Sequence, residues 1–480
     1  MPHQTSALLA SPALPVQAMN VTNGKPKGIV VFSGGSAANS LVDVFKTVAE
    51  NNKSSLSYVI PISDNGGSSS ELIRVFGGPG IGDVRSRLVR LIPDDEANAD
   101  TEKGAIKAFF NYRLPNDAEK ARLEWLDIVE ARHALWQHIS TPKKELIRSF
   151  LNLINLEIVK RVRPSSVFNF SSASIGNLFL TGARLFSGSF ESAIYLLSSI
   201  CQVPQNVSVL PAINTNFSHH ISAGLANGTS IMGQNAISHP SIPTALPDVS
   251  ANGVSETEEH DSIEDANLPG SLPTLRKQYI SFTKSEEEDL PARIERVWYI
   301  NPFGQEIRPP ANPKVIDALH SSQTIIYSIG SLYTSIIPSL ILRGVGEAIA
   351  STSIKHKILI LNSTVDRETG PSSNPFTALD FVAAIARACA ESRGSFGTVP
   401  TSGYRTYVTH LIHLEGPDTP QVNKAEFVSL GIETIRLYGR KGENGKGLRY
   451  DEKALNQALE ATIGKGNLRA DKSRRNTLDG

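Results

Sequence analysis

Two glycine-rich turns lie close together in the sequence, and each leads into a segment with helical spacing. The stretch from Ile62 to Arg90 reads ISDNGGSSSELIRVFGGPGIGDVRSRLVR. Glycines let backbone amides approach an anion, and the start of a helix adds a partial positive charge. A phosphate or diphosphate is therefore the natural ligand for such a stretch. The plain alternative is that both turns are flexible surface loops.

Three side chains near these turns have types suited to phosphate chemistry. Asp64 and Asp83 could hold a divalent ion such as magnesium, which would neutralise a diphosphate. Arg85 could contact the diphosphate directly through its planar guanidinium. The alternatives are that Asp83 caps its own helix and that Arg85 lies on a solvated helix face. Asn177, in the first turn of a later helix, could likewise cap that helix or face a ligand.

The composition excludes several other classes of protein. The 480 residues are 40% hydrophobic and 20% charged, which is enough for a sizeable core. Lys plus Arg and Asp plus Glu are 47 each, so no net basic charge argues for nucleic-acid binding. With two cysteines, neither a disulfide framework nor a cysteine metal site is expected, and a cytoplasmic location fits. No apolar run is long enough for a membrane span.

Four apolar runs share one pattern that would position these residues. Residues 28–32, 56–63, 324–328 and 357–361 are short and mostly apolar, and each is followed by a loop of small polar residues and then a helix. Strand, turn, helix and strand in succession predict an α/β fold with a mostly parallel sheet. In such a sheet the loops after the strands meet at its carboxyl edge, where ligands bind.

The predicted site is the set of loop residues that this edge would bring together. Those expected to bind the nucleotide or its phosphates are Gly34, Gly35, Ser36, Asn39, Asn65, Gly66, Gly67, Ser68, Gly82, Arg85, Asn177, Gly330, Ser331, Thr334, Ser335 and Asn362. Asp64 and Asp83 are expected to be catalytic and to hold the metal. The first turn lacks the G-x-G-x-x-G spacing of dinucleotide folds, so that fingerprint is not part of the prediction.

Changes in composition along the chain predict one large domain with additions. Residues 1–26 are predicted to be a disordered tail, and 27–463 the α/β domain. Within it, 115–163 has helical spacing and reads as a helical insertion, whereas 241–291 is acidic and poor in apolar residues. The acidic segment is predicted to be disordered, because it cannot bury enough apolar surface. Residues 464–480 are predicted to be a flexible basic tail.

Six sequence motifs in these loops resemble those of the CofD/YvcK family, and most closely those of its YvcK-like branch. They are SGGSAANS from Ser33, SDNGGSSSELIR from Ser63, GDVRSRL from Gly82, SIGNLFL from Ser174, GSLYTSIIPSL from Gly330 and NSTVDRETG from Asn362. The resemblance implies a Rossmann-like three-layer fold. CofD proteins use magnesium to transfer a phospholactyl group from a nucleotide diphosphate-linked donor to a deazaflavin alcohol. YvcK-like proteins are linked to nucleotide-sugar binding and to control of central carbon metabolism.

Two hypotheses follow for this chain. The first is a magnesium-dependent transferase acting on a nucleoside diphosphate-linked small molecule. The second is a non-catalytic regulator that binds a nucleotide sugar, with the acidic segment as a contact for a partner, and a homo-oligomer is compatible with both. The chain departs from the family at Ser36–Ala38, where Thr-Gly is usual, and at Asn65, where many relatives carry a second Asp. The missing carboxylate favours the regulator, whereas the CofD branch favours the enzyme.

Overall fold

The computed structural model describes most of the chain. The described residues are 28–35, 37–63, 69–92, 100–162, 167–239, 272, 275, 289–442 and 447–475, the last eleven as backbone alone. Six predicted site residues lie outside this description, namely Ser36, Asp64, Asn65, Gly66, Gly67 and Ser68. The predicted tail 1–26, nearly all of the acidic segment 241–291 and residues 476–480 also lie outside it.

In the described part of the chain, thirteen strands form three sheets. The strands are β1 Gly28–Phe32, β2 Leu56–Ile60, β3 Val207–Pro211, β4 His220–Leu225, β5 Ser230–Met232, β6 Ile294–Ile300, β7 Glu306–Ile307, β8 Ser322–Tyr327, β9 His356–Ile360, β10 His410–Leu414, β11 Glu433–Leu437, β12 Gly439–Lys441 and β13 Leu448–Tyr450. The largest sheet has seven strands in the order β11-β10-β9-β8-β1-β2-β3, and every neighbouring pair is parallel. An antiparallel sheet of order β5-β4-β6-β7 and the hairpin of β12 and β13 complete the set.

Among the described residues, fifteen α-helices cover and extend the main sheet. They are α1 Val42–Asn51, α2 Ser70–Phe76, α3 Gly82–Arg90, α4 Glu102–Asn111, α5 Ala118–Val129, α6 Thr141–Arg161, α7 Ile175–Ser187, α8 Phe190–Ile200, α9 Gln234–Ser238, α10 Pro313–His320, α11 Ile337–Leu340, α12 Val345–Ala350, α13 Ala378–Ser392, α14 Lys424–Ser429 and α15 Glu452–Arg475. Helices α5 and α6 lie within residues 115–163, the range predicted to be a helical insertion. Helix α15 continues to Arg475, into the segment predicted to be a basic tail.

The central strands form because they are short, β-branched and buried on both faces. All five residues of β1 are buried, as are five of the six residues of β8. Continuous apolar runs of this kind are typical of parallel strands covered by helices. The predicted Rossmann-like α/β fold with a mostly parallel sheet is therefore confirmed. In the described part of the chain, every helix is too short or too polar to cross a membrane.

Some predicted boundaries move by a few residues. The run 56–63 forms a strand only as far as Ile60, and Pro61, which has no backbone N–H for a sheet ladder, follows it. Strand β8 begins two residues before the predicted start at Thr324. These changes leave the loops after β1, β2, β8 and β9 at the carboxyl edge, as predicted.

Candidate functional site

The order of the strands creates a crevice between the loops that follow β1 and β8. From β1 the chain moves outward to β2 and β3, and it later returns to place β8 on the opposite side of β1. The connections after β1 and β8 therefore leave in opposite directions. Ligands of open parallel sheets bind at such a switch point, outside the carboxyl ends of the strands.

The turn after β1 lies directly against the turn after β8. A Cβ atom added to Gly34 would lie 2.8 Å from both Cβ and Oγ of Ser335, so only glycine allows this approach. Gly35 adopts φ +35°, which disfavours other residues. These two glycines and Ser335, all predicted site residues, are thus brought together at the switch point.

Asp83 joins this turn from the first turn of α3. Its Oδ2 accepts a hydrogen bond of 2.6 Å from the backbone N–H of Gly35. Asp83 does not cap α3, because the N-cap position is Ile81 and no side chain makes a cap hydrogen bond there. Burial raises the pKa of Asp83, although the Gly35 amide and the nearby Arg87 and Arg85 charges act in the opposite direction. The carboxylate therefore links α3 to the glycine turn.

Arg85 is buried in a network of side-chain amides, so the alternative of a solvated helix face does not apply. Its Nε donates to Oδ1 of Asn177 at 3.3 Å, and its Nη1 donates to Oδ1 of Asn111 at 3.0 Å. Asn177 in turn donates to Oγ of Ser69 at 3.2 Å. Burial lowers the pKa of Arg85 to about 10, and the nearby Arg113 charge adds to this effect. Asn177 therefore positions Arg85, and the cap of α7 at Ser174 makes no side-chain hydrogen bond.

Two further predicted residues flank this network. Asn39 donates to Oγ of Ser86 at 2.8 Å, which connects the turn after β1 to α3. Its Oδ1 is buried and has no hydrogen-bond partner among the described residues. A Cβ atom added to Gly82 would lie 3.3 Å from Oγ of Ser69. The start of α3 is therefore close to the start of α2. The Ile62–Arg90 stretch thus folds back on itself beside the turn after β1.

The loops after β8 and β9 are bound to each other. Asn362 accepts a hydrogen bond from the N–H of Gly330 at 3.0 Å and donates to its carbonyl oxygen at 2.8 Å. Gly330 has φ +142°, a conformation that favours glycine. Both backbone groups of Gly330 are therefore engaged by Asn362, and the predicted pair shapes the β8 side of the crevice.

A buried glutamate that sequence reasoning missed occupies the start of the helical segment after β8. Glu368 accepts hydrogen bonds from the backbone N–H groups of Tyr333 and Thr334, at 2.8 and 3.0 Å, and from the Thr334 hydroxyl at 2.5 Å. It is 1% exposed. Burial, together with the Asp366 charge, raises the pKa of Glu368 to about 8 despite these three donors. The donors of the predicted residue Thr334 are thus directed to a carboxylate of the protein itself.

Ser331 precedes this segment, and its carbonyl oxygen accepts a hydrogen bond from the N–H of Ser335 at 2.9 Å.

The sequence contained a signal for Glu368 in the motif NSTVDRETG, because the loop that carries it was expected at the same edge of the sheet. The spacing of residues along the sequence could not show that the Glu368 side chain points into the fold. Arg87, described further below, was missed for the same reason.

Two cavities lie farther along the carboxyl edge, beside the loops after β9 and β10. One, of about 640 Å³, is lined in part by Asp366, Arg367 and Thr377. The other, of about 680 Å³, lies beyond the ends of β10 and β11 and is lined in part by His413 and Arg436. Both are lined by polar and apolar groups.

The described residues offer limited support for a metal. No group of three or more His, Cys, Asp or Glu side chains in the described ranges is arranged to hold an ion. Magnesium in phosphate sites is often held by one or two carboxylates, with phosphate and water as the other ligands. Asp83 fits such a role as one carboxylate, whereas its predicted companion Asp64 lies outside the described residues.

The fold and the site define a Rossmann-like α/β protein whose polar residues gather at the switch point of its sheet. The chain belongs to the CofD family, described as 2-phospho-L-lactate transferase CofD, because the family's sequence profile matches residues 29–436. The resemblance read from the loop motifs is thereby confirmed.

The relatives include a yeast protein and bacterial gluconeogenesis factors. The chain is similar to the Saccharomyces cerevisiae protein YNL011C, with 37% identity over 89% of this chain and 98% of that protein. It is 23% identical to a gluconeogenesis factor of Halalkalibacterium halodurans, over 76% of this chain and 74% of that protein. The crystal structure of protein BH3568 from Bacillus halodurans has a TM-score of 0.55 and 20% identity, over 91% of this chain and 99% of that chain. The last comparison supports the fold alone.

Proposed function

We propose that this protein binds a nucleoside diphosphate-linked small molecule at the switch point, with the diphosphate on the β1 side of the crevice. One observation carries the proposal. The Gly34–Gly35 turn lies against the turn after β8, the Asp83 carboxylate accepts a hydrogen bond from Gly35, and the buried Arg85 is near enough to influence the pKa of Asp83. Backbone amides and a guanidinium suit a phosphate, and glycine allows the close approach that backbone contacts require.

The favoured activity is transfer of a phosphorus-containing group, as the family description suggests. The hydroxyl oxygen of an acceptor would attack the distal phosphorus, and the bridging P–O bond would break. A nucleoside monophosphate would leave with the bonding electron pair. Asp83 would accept the hydroxyl proton as a general base. Bound magnesium would supply charge neutralisation on the diphosphate, with Asp83 as one of its ligands.

The second candidate is a regulator that binds a nucleotide sugar without turnover. It is favoured by the gluconeogenesis factor among the relatives and by Asn65, which replaces a carboxylate in the loop after β2. Both candidates share the binding site and differ in chemistry. A binding assay therefore tests the site, and an assay for product tests the reaction.

A thermal-shift panel tests the binding site. Inorganic pyrophosphate, nucleoside diphosphates and nucleotide sugars are added to the parent protein with magnesium or with a chelator. We expect stabilisation by diphosphates and a loss of that stabilisation in Arg85→Met. The control is Arg184→Met, because Arg184 is a buried arginine that donates to the carbonyl oxygens of Phe76 and Gly77. Absence of any diphosphate-dependent shift in the parent protein would reject the proposal.

A product assay then separates the two candidates. The nucleotide that stabilises best is incubated with the protein, magnesium and alcohol acceptors, and nucleoside monophosphate release is followed by chromatography. Release that disappears in Asp83→Asn supports transfer. Tight binding without release across the acceptor panel supports the regulator.

A further inference from the structure

Arg87 is a fully buried cation beneath the turn after β1, and neither hypothesis from the sequence assigned it a role. Its side chain is 1% exposed. Its guanidinium carbon lies 4.7 Å from the ring centroid of Tyr58, a strand residue of β2. Two of its nitrogens donate at 3.3 Å, Nη1 to the carbonyl oxygen of Ala38 and Nη2 to Oγ of Ser33. Arg87 therefore holds both ends of the segment that contains the glycine turn.

The charge of Arg87 is not compensated by an ion pair within the described residues. Its partners there are a carbonyl oxygen, a hydroxyl and an aromatic ring, and its Nε has no partner among them. Asp83 is near enough to influence it but forms no ion pair with it, and Asp83 is itself engaged by Gly35. Burying a cation without an anion costs several kcal/mol. Such a residue persists where the charge has a use, and functional sites are where this is commonly found.

The residues around Arg87 indicate what its charge is used for. The segment between Ser33 and Ala38 contains the Gly34–Gly35 turn at the switch point and leads into α1. An anion at this turn would lie on the segment whose two ends the Arg87 guanidinium contacts. Arg85, two residues earlier on α3, belongs to the separate amide network of Asn111 and Asn177. The two arginines therefore contribute through different contacts.

We propose that Arg87 is a positioning residue that fixes the Gly34–Gly35 turn and supplies, from behind it, part of the counter-charge for a bound diphosphate. This inference rests on the proposed function, because it assumes a diphosphate at that turn. The charge of Arg87 would then favour a diphosphate over less highly charged ligands. The bound diphosphate would also be the counter-ion that the buried Arg87 lacks among the described residues.

The test compares three substitutions of Arg87 using inorganic pyrophosphate and inorganic phosphate as probes. Arg87→Met removes charge and hydrogen bonds, Arg87→Gln removes charge but can still donate, and Arg87→Lys retains the charge. Affinities are measured by titration calorimetry at several salt concentrations. Arg184→Met is the matched control, since Arg184 is also buried and also donates to backbone carbonyls.

We expect pyrophosphate affinity to fall at least about tenfold in Arg87→Met and Arg87→Gln, a size usual for hydrogen bonds and charges lost at an anion. The salt dependence of binding should become shallower in both neutral variants. Arg87→Lys should retain most of the affinity, and Arg184→Met should match the parent in affinity and in salt dependence. The melting temperature of Arg87→Met without ligand should equal or exceed that of the parent, because an uncompensated cation has been removed.

The outcomes separate this inference from the proposed function. If the parent binds no pyrophosphate, the proposed function fails. If the parent binds it and the neutral variants bind equally well, the role of Arg87 is rejected. Equal loss in Arg87→Lys and Arg87→Gln would reject the charge as its cause. Should Arg87→Met fail to fold, the comparison of Arg87→Gln with Arg87→Lys still decides.

Discussion

Replacing Gly34 by alanine tests directly whether the turns after β1 and β8 meet at the switch point. The new Cβ would lie 2.8 Å from Cβ and Oγ of Ser335 and 3.1 Å from its Cα. Carbon atoms in favourable contact are about 3.5–4.0 Å apart, so one turn must move by nearly 1 Å. Ser335 cannot yield easily, because the preceding Thr334 is held by the buried Glu368 through its N–H and its hydroxyl.

The expected loss of stability follows from this geometry. Overpacking at a well-packed position costs about 1–3 kcal/mol, and we expect about 2 kcal/mol for Gly34→Ala. Ser335→Gly removes both atoms at 2.8 Å and by itself costs about 1 kcal/mol, as glycine does in a helical segment. In the double variant the added Cβ has room except at the Cα of Ser335. The two substitutions should therefore cost about 1–2 kcal/mol less together than the sum of their separate effects.

Urea denaturation of the parent, the two single variants and the double variant gives this coupling energy. Pyrophosphate binding by the same four proteins shows whether the displaced turn also loses its ligand, and we expect recovery in the double variant. Additive stability changes, within about 0.5 kcal/mol, are what independent sites give. That result would refute the contact between the two turns and weaken the case for a site between them.

Three further predictions concern single residues. If Asp83 holds magnesium, Asp83→Asn should abolish the tightening of nucleotide binding by magnesium in calorimetry, and an equal magnesium effect in both proteins would contradict this role. Because the pKa of Glu368 is raised to about 8, its ionisation destabilises the fold as pH rises. Glu368→Gln should therefore gain about 1.4 kcal/mol per pH unit over the parent between pH 5 and 7.5 in urea titrations, and a constant difference would be inconsistent with that pKa. Gly346→Ala should lower the melting temperature by several degrees, because its Cβ would lie 2.0 Å from the carbonyl oxygen of Cys389, whereas Gly464→Ala should have little effect, since nothing lies within 4 Å there.

The main sheet could be predicted because its strands carry their own signal. Runs such as GIVVF at 28–32 and KILIL at 357–361 are β-branched and apolar throughout, which is what burial on two faces requires. The loops at the carboxyl ends of these strands lie at the same edge of the sheet for any order of parallel strands. The prediction therefore placed Gly34, Gly330 and Asn362 near one another without knowledge of the order of the strands.

The partners of individual side chains could not be predicted in the same way. The contact between Gly35 and Asp83 joins residues 48 positions apart, and its direction depends on how α3 packs beneath the turn. From the sequence, Asp83 was equally compatible with a cap of α3. Glu368 resembled an ordinary polar loop residue until the fold placed it below the N–H groups of Tyr333 and Thr334. Such contacts follow from tertiary packing, which a linear pattern does not contain.

The two sides of the crevice differ in charge, and this difference sets an orientation for the ligand. On the β8 side, the carboxyl group of Glu368 already accepts hydrogen bonds from the amides of Tyr333 and Thr334, and Asn362 engages Gly330. A diphosphate placed there would find those backbone amides occupied. On the β1 side lie Arg85 and Arg87. We therefore expect the diphosphate on the β1 side, with the rest of the ligand toward the cavities beyond β9 and β10. Glu368→Gln should then affect the stability of the fold more than the affinity for pyrophosphate, and removal of the charge of Arg87 should do the reverse.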